Sequence, residues 1–340
     1  MKRVIIFIVF ICLIIPLVHA QNWPKTYTGM NAWADWVIQS YDKGYVILGS
    51  KTNYKIGWII KTDINGNILW EKKINSGQFT IYPGNIEQTL DNGFIIGGTT
   101  AQIGNQGDAF ILKLNSCAEQ EWCKILYTPL IPYDQGRCVK QTLDGGYLLL
   151  GSYNDPNPKN RINLFRFDGS GQLLWHYYYP PDSLLFNEDA DDIYFDSDGF
   201  LLTGSGYYPG PGIPPSYGAI RPYYIKTDTS GITLWKTIYG RETYYWGHAF
   251  RTTKGGNNNY YSASRHNDTT GIDYPALVKL FHNGDTSYSA NLIQNSYLGL
   301  ATTINMKDDT TLILGIAWSP INGPGPTGLV SVCPYYPSFC

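Results

Sequence analysis

The sequence predicts an all-β, six-bladed β-propeller of four-stranded antiparallel blades, and three observations carry that prediction. A unit of about fifty residues recurs six times, four of the six units turn at an acidic residue and a glycine, and an apolar strand follows the turns. The unit is plainest from Asp42 to Ile74, which reads strand, loop, strand, tight turn, strand; GNIEQTL, from Gly84 to Leu90, supplies a fourth strand.

The first turns are DKGYVILG at Asp42, DNGFIIGG at Asp91, DGGYLLLG at Asp144, SDGFLLTG at Ser197, KGGNNNYYSA at Lys254 and DDTTLILG at Asp308. With Gly44, Gly93, Gly146, Gly199, Gly256 and Asp309 taken as equivalent, the steps are 49, 53, 53, 57 and 53 residues. Asp-Gly and Asn-Gly pairs tolerate the positive φ that a tight hairpin demands. The third strands are WIIKTD, FILKLN, LFRFDG, YYIKTD, LVKLFH and LVSVCP. A second turn then places Trp70, Trp122, Trp175 and Trp235 at matching points of the outer strands, where large rings are expected to pack blade against blade. On the innermost strands Gln39, Gln88, Gln141 and Arg251 each stand five residues before the equivalent glycine position. They are expected to line a solvated central channel as architecture rather than as a site.

The chain's start and end bear on closure. Lys2 and Arg3 precede an apolar run from Val4 to Ile15, and Val18, His19 and Ala20 form a small-residue cleavage site, so residues 1–20 read as a signal peptide and 21–340 as one propeller domain. Secretion, or delivery to a periplasm, follows. The apolar run is too short for a comfortable membrane span, and cleavage before Gln21 leaves no N-terminal cysteine for lipidation. NWPKTYTGMNAWADWVIQS resembles LWKTIYGRETYYWGHAFRTT, so Trp23 to Gly29 is expected to be the outer strand of a sixth blade otherwise limited to three strands. This would close the ring and remove its exposed edges.

Composition excludes several classes. Loss of Lys2 and Arg3 takes the formal net charge from -2 to -4 with no basic block, which argues against nucleic acid. The mature histidines, His176, His248, His266 and His282, lack metal-ligand spacing, and there is no GxSxG motif. Glu188, Asp189, Asp191, Asp192, Asp196 and Asp198 cluster without the DxDxDG pattern and distal glutamate of a calcium loop, so neither cofactor nor metal is expected. In an oxidising compartment Cys117 with Cys123, and Cys333 with Cys340, are expected to form two local disulfides, leaving Cys138 as a buried free thiol. A monomer is expected.

Function is expected on one face. First-to-second and third-to-fourth connections are short, whereas second-to-third and inter-blade connections swell to segments such as SGYYPGPGIPPSYGAIRP and YTPLIPYDQG. Trp33, Tyr82, Tyr133, Tyr207, Tyr208, Tyr217, Tyr245, Trp246 and Trp318 fall in or beside these loops as candidate ligand-binding residues. Their flat rings with polar handles suit stacking on sugar or gripping a peptide. At DNGFIIGG, DGGYLLLG and TDTSGITLW the chain resembles the secreted bacterial β-propellers of DGG-type repeats found on type IX secretion cargo. The resemblance implies extracellular binding or adhesion. Such cargo ends in a sorting domain that is absent before Cys340, which implies another export route or a longer chain. The DxxGxxxW turns are also similar to those of quinoprotein dehydrogenases, without residues matching their cofactor pocket, and the aspartate boxes of sialidases are not matched. A non-enzymatic binding or adhesion module is therefore expected, with an extracellular polysaccharide hydrolase or lyase as the alternative; no residue pair is singled out for catalysis.

Overall fold

The computed structural model describes residues 27, 32–51, 56–74, 79–102, 107–126, 134–155, 159–180, 187–208, 219–240, 247–267, 273–292, 297–320 and 327–332. They form an all-β propeller. Sheet one contains β1 (Ala32–Gln39), β2 (Tyr45–Lys51), β3 (Ile56–Thr62) and β4 (Ile68–Ile74); sheet two contains β5 (Phe79–Gln88), β6 (Phe94–Gln102), β7 (Asp108–Leu114) and β8 (Gln120–Leu126). Sheet three contains β9 (Asp134–Gln141), β10 (Tyr147–Asp155), β11 (Lys159–Phe167) and β12 (Leu173–Tyr178); sheet four contains β13 (Glu188–Asp196), β14 (Gly199–Tyr208), β15 (Ala219–Thr227) and β16 (Thr233–Ile238). Sheet five contains β17 (Gly247–Lys254), β18 (Tyr260–Asn267), β19 (Asp273–Leu280) and β20 (Thr286–Asn291). The sixth sheet has three strands, β21 (Tyr297–Asp308), β22 (Thr311–Pro320) and β23 (Thr327–Val332). Among the described residues there are thus five four-stranded antiparallel sheets and one of three strands. Of the segment expected to complete the sixth, only Tyr27 lies within the described residues.

The middle strands β3 and β7 are almost continuously buried because both of their faces are covered. Buried side chains from successive sheets merge into five clusters, one in each gap from sheets one and two to sheets five and six. The recurring tryptophans work there. A Cβ on Gly171, Gly231 or Gly284, all at positive φ in second turns, would overlap the ring of Trp122, Trp175 or Trp235 of the preceding sheet. Ala118, at φ 57°, holds the matching place in the cluster that includes Trp70. Inter-blade packing is therefore their role. The Tyr179 hydroxyl, four residues after Trp175, donates to Gly231 O of the next sheet at 3.0 Å. The Tyr27 hydroxyl, four residues after Trp23, donates to Gly66 O of sheet one at 2.9 Å.

The first turns show why their glycines are needed. Positive φ falls on the residue before the repeated glycine, at Lys43, Asn92 and Gly145, and not on Gly44, Gly93 or Gly146. These three sit where a Cβ would overlap the carbonyls of Thr62, Leu114 and Phe167 and the cationic heads of Lys61, Lys113 and Arg166. The same cations pair with the turn aspartates: Lys61 with Asp42 at 2.7 Å, Lys113 with Asp91 at 2.8 Å and Arg166 with Asp144 at 2.6 Å. In sheet five the matching position is Asn259 rather than Gly256, since Gly255 N bonds to Asn259 O as Ser40 N bonds to Gly44 O. Its positive-φ residue is Asn258. That shift of three residues also removes Arg251 from the glutamine series.

The glutamines act between sheets. Gln88 Oε1 accepts from Tyr41 N at 2.8 Å and Gln141 Oε1 from Leu90 N at 2.7 Å, so each ties its own strand to the preceding sheet's turn. The expected disulfide between Cys117 and Cys123 does not form: both are exposed free thiols. Cys117 lies in the turn before β8, and Cys123 lies three residues along that strand, roughly 10 Å on, whereas a disulfide needs Cα atoms within about 7 Å. Cys333 and Cys340 lie outside the described residues. Among the described residues no helix is long and apolar enough to cross a membrane.

Candidate axial site

The first strands of all six sheets line one cavity of about 490 Å³. Every one of them carries a β-bulge at the same level. The ladder to the second strand skips Asp35 on β1, Gly84 on β5, Arg137 on β9, Asp191 on β13, Phe250 on β17 and Thr302 on β21. A bulge leaves one residue unpaired, bends the strand and re-aims its side chain, which suits the wall of a site. Gly84 is glycine because a Cβ would overlap the backbone of Arg137.

The residue after each bulge helps tie the ring together. Asn85 Nδ2 donates to Val139 O at 2.9 Å and its Oδ1 accepts from Val139 N at 2.6 Å. Cys138 Sγ stands 3.6 Å from Asp192 Oδ1, and Thr252 N donates to Asp192 Oδ2 at 3.4 Å. Arg251 Nη1 donates to Thr303 Oγ1 at 3.1 Å, and its guanidinium lies 3.4 Å from the centre of the Trp36 ring. Charges here are compensated. Burial raises the Asp192 carboxyl, opposed by Lys140 and Arg251, and burial likewise raises Glu87, whose Oε1 is 3.6 Å from Lys140 Nζ. Burial works against the Lys140 charge, but Cys138, Asp192 and Glu87 together raise its pKa. The Cys138 thiol, fully buried, is pushed up by desolvation, which fits an inert core thiol.

One residue nearer the long loops, compensation fails. The Asp191 side chain keeps 23% of its surface accessible, yet desolvation raises its carboxyl to about 8 despite Arg137; Asp189 and Asp192 add to the rise. Its Oδ2 lies 3.6 Å from His248 Nε2 and has no hydrogen-bond partner within the protein. Burial, with Arg265 and Arg137, lowers His248 to about 3, so at neutral pH this is a contact between two uncharged groups rather than an ion pair. Phe250 stacks on the His248 ring at 4.4 Å. On sheet one the matching bulge carries Asp35, also raised by desolvation and partly relieved by a hydrogen bond from Ser50 Oγ at 3.3 Å. Among the described residues no group of three or more histidine, cysteine or acidic side chains is placed to hold a metal ion.

The aromatic residues expected to bind ligand sit elsewhere. Trp33 pairs with Ser50, Tyr82 with Thr99, Tyr207 with Ile220, Tyr208 with Ala219 and Trp318 with Gly299, all toward the long-loop ends of their strands. Tyr82 and Tyr207 are exposed. Tyr133, Tyr217, Tyr245 and Trp246 lie outside the described residues. Neither Tyr82 nor Tyr207 lines the axial cavity. Asp35 and Arg137 were not singled out in the sequence, His248 was read only as a histidine without metal-ligand spacing, and Asp191 only as part of an acidic cluster.

No protein-family model matches the chain. No curated protein matches it either. Solved structures do. It is similar to a Penicillium chrysogenum alpha-L-arabinanase complexed with arabinobiose, with TM-score 0.52 and 8% identity over 89% of this chain and 93% of that one. A Hadza microbial sialidase gives TM-score 0.52 at 8% identity over 86% of this chain and 66% of its own length. A Mycobacterium tuberculosis puromycin-hydrolyzing peptidase gives TM-score 0.50 at 12% identity over 90% of this chain but only 43% of that chain. At such identities the likeness concerns the fold.

Proposed function

We propose that this protein is an extracellular polysaccharide hydrolase whose reaction takes place in the axial channel at the level of the bulges. The observation that carries the reading is a pair of carboxyl groups, Asp191 and Asp35, at the same bulge of sheets four and one, in unlike surroundings. In a six-sheet ring these sheets stand opposite each other. Glycoside hydrolysis asks for two carboxyls across the scissile bond, one protonated to donate to the leaving oxygen and one ionised. Asp191, protonated below about pH 8, is the acid; Asp35, the more accessible, is the base that activates water. Arabinanase and sialidase chemistry on similar propellers is compatible with this assignment.

The test is reducing-sugar release from a panel of polysaccharides that includes arabinan and sialylated glycans. Release that falls about 10²-fold or more in both Asp191→Asn and Asp35→Asn is expected, with the wild-type rate declining as pH rises through 8. No release from any member, or release indifferent to Asp191→Asn, overturns the assignment. A second reading, binding or adhesion without turnover, draws support from the exposed rings of Tyr82 and Tyr207 at the long-loop ends. Retention on the same panel without release would favour it.

The proposal extends to the whole molecule: an exported monomer after removal of residues 1–20, with residues 23–29 completing a sixth blade. The repeated bonds Tyr179 to Gly231 and Tyr27 to Gly66 support that closure, since they give Tyr27 the place of an outer-strand residue in the sheet preceding sheet one. Tyr27→Phe should then cost about 1 kcal/mol in urea unfolding, and no loss would count against it.

A further inference from the structure

The short-turn face, opposite the long loops, carries a row of apolar side chains at one repeat position. Tyr41, Leu90 and Leu143 each directly precede the turn aspartate and are 56, 65 and 98% exposed. Nothing in the packing of their own sheets requires such residues there. Val37, 59% exposed on β1, extends the row toward the channel. The row is held in place rather than carried on a loose loop, because Gln88 fixes the amide of Tyr41 and Gln141 that of Leu90. The turns themselves close on Asp42, Asp91 and Asp144. The row ends after sheet three: sheet four turns through Asp196–Gly199 with Ser197 at its tip, and sheet five places Gly256 at the matching point.

The surroundings are acidic. Asp42, Asp91 and Asp144 keep 57, 55 and 70% of their side-chain surface exposed, while the cations that pair with them are buried beneath. The second turns of the same three sheets add Asp63, Glu119 and Asp168, against Lys43 alone as a basic residue in these turns. A second copy docking on this face would oppose carboxylate to carboxylate, and an anionic lipid surface would be repelled.

We propose that Tyr41, Leu90 and Leu143 form a docking surface for a basic polypeptide partner, whose leucine-like side chains seat on the row while its lysines or arginines meet the flanking aspartates. Of the row, Val37 alone lines the axial cavity, and Tyr41, Leu90 and Leu143 do not. The probe is an immobilised alternating leucine-lysine peptide, with the leucine-glutamate peptide and phosphatidylglycerol vesicles as controls. Wild type should bind the basic peptide with salt-sensitive affinity, and the double variant Leu90→Ser, Leu143→Ser should weaken binding at least about tenfold while its thermal unfolding is unchanged. Asp191→Asn should bind as wild type does. Equal binding by the double variant, equal binding of the acidic peptide, or vesicle binding or self-association that the double substitution abolishes would each overturn the proposal.

Discussion

Aspartates of the first turns and aspartates of the first strands have the same side chain and opposite chemistry. In the turns of sheets one to three the carboxylate is exposed and the cation buried: Lys113 keeps 2% of its side-chain surface accessible, Asp91 55%. Hydrogen bonds from Lys61 and Ser40 hold Asp42 at about 2. Burial opposes the charge on Asp91, but Lys113 and Thr89 overcome it and hold Asp91 at about 2 as well. At the bulge of β13 the carboxyl is the buried member, and Arg137 only partly offsets the lost water, so Asp191 is protonated near neutrality. The difference teaches that position in the repeat, rather than residue type, decides whether an acid here is a structural anion or a proton donor.

Adjacent glycines test the structural half most severely. Gly146→Ala would drive a Cβ into the Phe167 carbonyl and the Arg166 head, and should cost roughly 3 kcal/mol in denaturant unfolding. Gly145→Ala, at φ +83° with open space around it, should cost only about 1 kcal/mol. Equal losses would mean that the close approach at Gly146 is unimportant.

The channel half is read through pH. Because the native Asp191 carboxyl lies above its unfolded value of about 4, its contribution to stability is full below that pH and is lost as pH climbs toward 8. Asp191→Asn should flatten that part of the stability profile, a change on the order of a few kcal/mol. A profile unchanged between pH 4 and 8 would place Asp191 in ordinary solvent. The turn half shows the opposite sign and a smaller effect, since these carboxylates are largely exposed. Asp42, held at about 2, stabilises above its unfolded value of about 4 and ceases to do so as pH falls toward 2. Asp42→Asn should therefore lower the melting temperature modestly at neutral pH and bring variant and wild type together in acid.

Repeat length, strand order and the inter-blade tryptophans were legible in the sequence because each copy repeats the same physical problem: a glycine where chains touch, a ring where sheets meet. The fifth turn was misaligned by three residues because KGGNNN offers glycines that do not occupy the tight position; Asn259 does. The axial carboxyls were illegible for another reason. A bulge changes which way a residue points without changing its identity, so Asp191 in EDADDIYFD looks like any acid in a polar strand. Nor could sequence proximity reveal that Cys117 and Cys123 diverge, one in a turn and one along a strand.

The six bulges have a consequence for how such a molecule can change. Asp, Gly, Arg, Asp, Phe and Thr occupy them in turn, while the strands on either side repeat almost monotonously. Each is excused from the ladder and, apart from Gly84, which the backbone of Arg137 holds to glycine, is free of the pairing demands that fix its neighbours. Apart from Gly84, the axis is a rack of five sockets in which new side chains can be tried one at a time while the surrounding architecture remains intact.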